Sequence, residues 1–91
     1  MEIWVKLYKL YTANSKTEKR LKEYISSRND IRNKLDRLKQ DPRRVNGAHT
    51  LHGILEGKWA CWLGSNIGVI YTINDKNKAI IIEAVGTHKV Y

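Results

Sequence analysis

The sequence of 91 residues predicts an α+β fold of order β-α-α-β-β-β-β, with two N-terminal helices packed on a mainly antiparallel twisted sheet. Three observations predict it. Apolar residues recur at helical spacing across residues 16–40. Two long apolar runs, residues 67–73 and 79–85, flank a polar Asn74-Asp75-Lys76-Asn77 turn, the pattern of a buried β-hairpin. The segments between helices and hairpin are short and separated by tight turns, so each strand there reverses on the one before it.

Taken in order, residues 2–8 alternate, with Ile3, Val5 and Leu7 on one face and Glu2, Trp4, Lys6 and Tyr8 on the other. That period predicts a half-buried first strand. Thr12-Ala13-Asn14-Ser15 breaks the alternation, and Asn14 or Ser15 can cap a helix starting near Lys16 by accepting from its free N–H groups. No Gly or Pro interrupts residues 16–40, and the apolar positions 21, 24, 25, 31, 35 and 38 leave a gap around 26–29. The gap predicts two short helices forming an antiparallel pair, the second capped by Asn29 or Asp30 and ended by Asp41-Pro42. Ile31, Leu35 and Leu38 make a narrow stripe that can lie across one face of a sheet. Arg28, Arg32, Lys34, Arg37 and Lys39 surround it on the solvent side. A basic loop with an Asn46-Gly47 turn follows, then strands over 49–55 and 58–63. Gly57 and Gly64 mark turns that demand positive φ. Ninety-one residues bury one core, so residues 1–91 form a single domain.

The formal net charge is +8 and is unevenly placed: residues 1–44 hold 13 basic against 6 acidic residues, residues 45–91 only 4 against 3. A field of that kind favours a polyanion, with nucleic acid first, an acidic protein second and an anionic membrane surface third. The single cysteine, Cys61, excludes an intrachain disulfide and a multi-cysteine zinc site. No basic-then-apolar signal pattern opens the chain and no apolar run approaches the ~20 residues that span a bilayer, so a cytoplasmic protein without a membrane is expected.

Chemistry must then come from few groups. His49, His52 and His88 all lie outside the helices, and histidine exchanges protons near neutrality, which suits acid–base work on a phosphodiester. A metal site is not expected. His49 and His52 point to opposite faces if the chain between them is extended, and no carboxylate or thiolate accompanies them. Trp62 and Tyr91 are candidate stacking platforms for bases. Trp59 shares a face with Cys61 and Leu63 and is expected in the core. Arg43, Arg44, Lys58 and Lys89 are the cations that could meet at a sheet edge and hold phosphate. No Gly-rich phosphate loop or Ser-His-Asp pattern is present, so proton transfer would fall to His or Tyr, with no cofactor.

The element order, the Leu51-His52-Gly53 segment, the Trp-containing strand, Gly68-Val69-Ile70-Tyr71 and the final Gly86-Thr87-His88-Lys89-Val90-Tyr91 together resemble the RelE/ParE superfamily of toxins from type II toxin–antitoxin systems. The nearest branch is the YafQ-type messenger-RNA interferases. The resemblance implies a ribosome-dependent endoribonuclease that cleaves mRNA by metal-independent attack of the ribose 2′-hydroxyl. It further implies an acidic, partly disordered antitoxin as partner, with oligomers formed only through that complex. Position by position, His49, His88 and Tyr91 fall on that branch's functional residues, as catalytic groups. Trp62 stands where the branch has a histidine, Asn66 where it has an aspartate, and Gly68 where other relatives carry an arginine. Because an uncharged Asn66 cannot take a proton, abstraction would move to His49 or His88. Asn66 and His52 join Trp62 and the cations as candidate substrate-binding residues. Two rival readings follow: a ParE-like inhibitor of DNA gyrase, in which the histidines are incidental, and a non-catalytic RNA-binding protein, for which the Trp62 and Asn66 departures argue.

Overall fold

The computed structural model describes residues 7–64 and 66–87. In order they form strand β1 (Lys9–Thr12), helices α1 (Ser15–Ser27) and α2 (Asn29–Gln40), and strands β2 (His49–Thr50), β3 (Trp59–Trp62), β4 (Ile67–Asn74) and β5 (Ala79–Thr87). The five strands lie in one mixed sheet in the order β1-β5-β4-β3-β2. β1 runs parallel to β5, and the other neighbours are antiparallel. The α+β order with two helices ahead of a mainly antiparallel sheet is therefore as the sequence predicts.

One face of the sheet is the core. Cys61 and Leu63, Val69 and Tyr71, and Ile80, Ile82 and Val85 are buried there against Leu21 of α1 and Ile31, Leu35 and Leu38 of α2. The narrow stripe of α2 is thus its inner face, and Arg32 and Arg37 remain exposed on the outer one. Removing Leu38 from water contributes roughly 1.5–3 kcal/mol, which an exposed arginine on the same helix does not supply. Asn14 caps α1, its side chain accepting from the Thr17 N–H at 2.8 Å. Trp59 packs half-buried against the core, on the side expected of it.

Four expectations need correction. The alternation read over residues 2–8 puts Leu7 inside and Tyr8 outside, whereas Leu7 is 51% exposed and Tyr8 only 8%. Residues 1–6 lie outside the described residues. Tyr8 can go inward because its hydroxyl reaches Asp75 at 2.6 Å, and its N–H donates to the Lys39 carbonyl. The ladder with β5 begins only at Lys9. The strand expected over 49–55 keeps two residues: Gly53 takes φ 71° and starts a 3₁₀ turn over Gly53–Leu55 that leaves Ile54 in solvent. An isolated Ile-Leu pair carries strand propensity without a face to pack on.

The second helix is not capped by Asn29 or Asp30. Arg28 occupies that place in extended conformation, and its guanidinium is held by Asp30 at 2.8 Å. Asp30 there sits in the first turn, where the helix dipole favours an anion. Gly64 does not adopt positive φ. A Cβ on it would come within 2.9 Å of the Arg28 guanidinium, so close approach explains that glycine.

Candidate functional site

Opposite the helices, the other face of the sheet carries every second residue of the central strands. Cross-strand register puts His49, Ala60, Ile70 and Ala84 in one row, and Trp62, Gly68 and Gly86 in the next. Strands stand about 4.8 Å apart, so the first row runs roughly 14 Å from His49 to Ala84. Gly68 and Gly86 contribute no side chain to the middle of this face, where Ala60 and Ile70 are buried. The chemistry concentrates at its edges.

His49 is exposed on edge strand β2, and its Nδ1 lies 3.0 Å from the Gly47 carbonyl oxygen. A carbonyl can only accept, so this contact calls for a proton on Nδ1, which in a neutral imidazole leaves the lone pair on Nε2. Trp62 ends β3, half-buried, and its Cδ1 would be 3.3 Å from a Cβ placed on Gly47. His49 and Trp62 therefore meet around a single glycine. Both Asn46 and Gly47 are left-handed, at φ 57° and 69°, which is what the Asn-Gly pair in the sequence signals.

The loop that presents His49 is tied down at several points. The buried Tyr71 hydroxyl donates to the Pro42 carbonyl at 2.6 Å, and the Trp62 N–H donates to the Asn46 carbonyl at 2.8 Å. The Asn46 amide donates to the Lys34 carbonyl of α2 at 2.8 Å. Under the loop, burial pushes the Cys61 thiol up to about 12, against weaker opposing hydrogen bonds from Tyr71 and Asn46. Cys61 stays a thiol at neutral pH and packs as a small apolar residue. Burial raises Tyr71 as well, so its hydroxyl remains a donor.

The cations are arranged differently from a simple cluster. Lys58 pairs with Glu83 across the same face as His49, both side chains partly buried. Glu83 reaches that face through a β-bulge, since Ile70 pairs with Ala84 and Tyr71 with Ile82, leaving Glu83 unmatched. Arg43 turns away: it grips Asp75 through two nitrogens, at 3.0 and 2.6 Å, and lies 5.8 Å from the centre of Trp59, on the helix side of the sheet. Arg44 is exposed in the loop beside it, and Asn66 is exposed between β3 and β4. His52 is exposed just ahead of the 3₁₀ turn, off the end of β2.

His88, Lys89 and Tyr91 lie outside the described residues. Thr87, which precedes them in the chain, pairs with Ile67 beside the Trp62–Gly68–Gly86 row. The structure thus brings His49 and Trp62 together around Gly47, with the end of β5 two strands from Trp62; it places Lys58 with Glu83 at the other end of β3 and separates Arg43 from them all. Glu83, Asn46 and Asp75 were not singled out by the sequence. Asn46 and Asp75 show in the sequence as turn residues alone, and Glu83 as a lone charge inside an apolar strand. Among the described residues, no three His, Cys, Asp or Glu side chains gather as metal ligands, and no helix is long and apolar enough to cross a membrane.

No family model matches the chain, and comparison with curated proteins finds no match. Solved structures do match. The toxin–antitoxin complex RelBE2 from Mycobacterium tuberculosis gives a TM-score of 0.73 at 16% identity, over 96% of this chain and 98% of that one. The YoeB–YefM complex from Staphylococcus aureus gives 0.69 at 15% identity, over 89% and 97%. YafQ from Escherichia coli gives 0.66 at 17% identity, over 90% and 94%. The class this architecture defines is a small α+β fold used by toxins, two of these examples having been solved as complexes. In particular, the chain has the RelE-like fold of the RelE, YoeB, YafQ and ParE toxins.

Proposed function

We propose that this chain is the toxin of a type II toxin–antitoxin system, acting as a ribosome-dependent endoribonuclease on messenger RNA. One observation carries the reading: in a fold shared along nearly its whole length with toxins, His49 and Trp62 converge on the sheet face beside which β5 ends. In the reaction, a histidine takes the proton of the ribose 2′-hydroxyl, and the 2′-oxygen bonds to the adjacent phosphorus. The bond from phosphorus to the 5′-oxygen breaks, and a second histidine supplies a proton to that leaving oxygen, giving a 2′,3′-cyclic phosphate. His49 and His88 are the two proton carriers, and Tyr91 positions the nucleotide. Trp62 stacks on a base, a contact worth roughly 1–3 kcal/mol.

Lys58, held in place by Glu83, contacts phosphate on the same face of the sheet. Lys89 and Arg44 hold phosphate further along the RNA strand, with Asn66 and His52 as flanking polar contacts, while Arg43 is committed to Asp75. The partner is an acidic antitoxin that folds on binding, and larger assemblies form only through it. The protein works in the cytoplasm, needs no cofactor, and the basic helices dock on ribosomal RNA.

Induced expression followed by sequencing of RNA ends tests this. Translation should stop, with cuts confined to translated message, and His49→Ala or His88→Ala should each lower cleavage by at least about 100-fold. Cleavage unchanged in both variants would exclude the histidine mechanism. RNA binding on translating ribosomes without any cut, favoured by Trp62 and Asn66, would make the protein a non-catalytic binder. DNA damage with intact message would indicate a gyrase inhibitor.

A further inference from the structure

We propose that the Asn46-Gly47 turn is the positioning device of this site, fixing His49 as its Nδ1–H tautomer so that Nε2 is the atom that exchanges the proton. The proposal rests on the functional reading above for its catalytic consequence, but its structural content stands apart from it. Two consecutive left-handed residues bring the Gly47 carbonyl back onto the ring of His49, two positions further on, at 3.0 Å. The same turn is fastened at both ends of its first residue. The Asn46 carbonyl receives the Trp62 N–H, and the Asn46 side chain donates to the Lys34 carbonyl, each at 2.8 Å.

One residue thereby connects α2, the strand carrying Trp62 and the carbonyl that orients His49. Glycine at 47 does double work: it accepts φ 69°, and it lacks the Cβ that would press on the Trp62 ring at 3.3 Å. The arrangement has a cost. Asn46 Oδ1 is buried with no hydrogen-bond partner among the described residues, and an unpaired buried acceptor opposes folding. Against that cost the asparagine supplies the tie to Lys34 and the left-handed turn.

The tautomer can be read directly in the full chain without substrate, by long-range ¹H–¹⁵N correlation of the His49 ring at about pH 8, where imidazoles are largely neutral. The wild-type ring should be protonated mainly at Nδ1. In Asn46→Ala, which loses the tie to Lys34 and disfavours positive φ, the population should move towards Nε2–H, with turnover falling about 10- to 100-fold at unchanged KM. Asn46→Gly keeps the left-handed turn while losing the amide, and serves if the alanine variant does not fold. It should show an intermediate shift. A wild-type ring protonated mainly at Nε2, or folded variants with the wild-type tautomer, would overturn the proposal. A wild-type protein that shows the expected tautomer and cuts no RNA would instead count against the functional reading alone.

Discussion

At the scale of single residues, the groups that set the geometry are paired over long sequence distances. Asp75 is the clearest. Its carboxylate is held down to about 2 from an ordinary 3.8, first by the Arg43 guanidinium and then by the Tyr8 hydroxyl, with desolvation opposing. A carboxyl depressed in the folded state stabilises that state above its unfolded pKa and stops doing so as pH falls through the folded value. Wild-type protein should therefore exceed Asp75→Asn in stability above about pH 4, and the difference should vanish as the pH falls through about 2. Urea melts across that range measure it, and a gap that persists undiminished below pH 2 would sink the assignment. The sequence offers Asp75 only as a turn residue and Arg43 only as a loop cation. Their partnership depends on which end of the hairpin faces the loop after α2, and no local pattern encodes that.

At the scale of elements, legibility follows packing. The two helices are readable because their periodic stripe meets the sheet, and strands β3 to β5 because their apolar runs are covered. The first strand and β2 are misread for the converse reason. Tyr8 is inward despite its period because its polar tip finds Asp75, and residues 53–55 leave the sheet because Gly53 takes positive φ. The same reasoning predicts what holds α2. Leu38 is fully buried, so Leu38→Ala should cost about 2–5 kcal/mol, while Arg37→Ala on the exposed face should stay within about 0.5 kcal/mol. Denaturant midpoints at constant m-value decide between a helix held by its stripe and one held by its charges. Equal losses in the two variants would favour the charges. On the site side, the Asn46-Gly47 turn was legible as a turn, yet its bearing on His49 was not, because that depends on a carbonyl direction and on the Lys34 contact.

At the scale of the whole molecule, the charge asymmetry acquires a shape. Five ion pairs among the described residues engage Lys22, Arg28, Lys39, Arg43 and Lys58. Arg32 and Arg37 on the outer face of α2, and Arg44 in the loop beyond it, belong to none of them and are exposed. A cation already paired with a carboxylate adds little net field, whereas an unpaired one displaces a counterion from a phosphate. If the outer face of α2 docks on ribosomal RNA, each such contact adds about 0.7–0.9 to the steepness of log affinity against log salt. Replacing Arg32, Arg37 and Arg44 together by alanine should then flatten the slope for ribosome association by about 2–3. Replacing Arg28, engaged by Asp30, should change it by less than a full contact. Binding measured from low to moderate salt reads both variants. Equal slopes in wild type and the triple variant would place the ribosome-facing surface elsewhere on the molecule, with the helices serving only to cover the core.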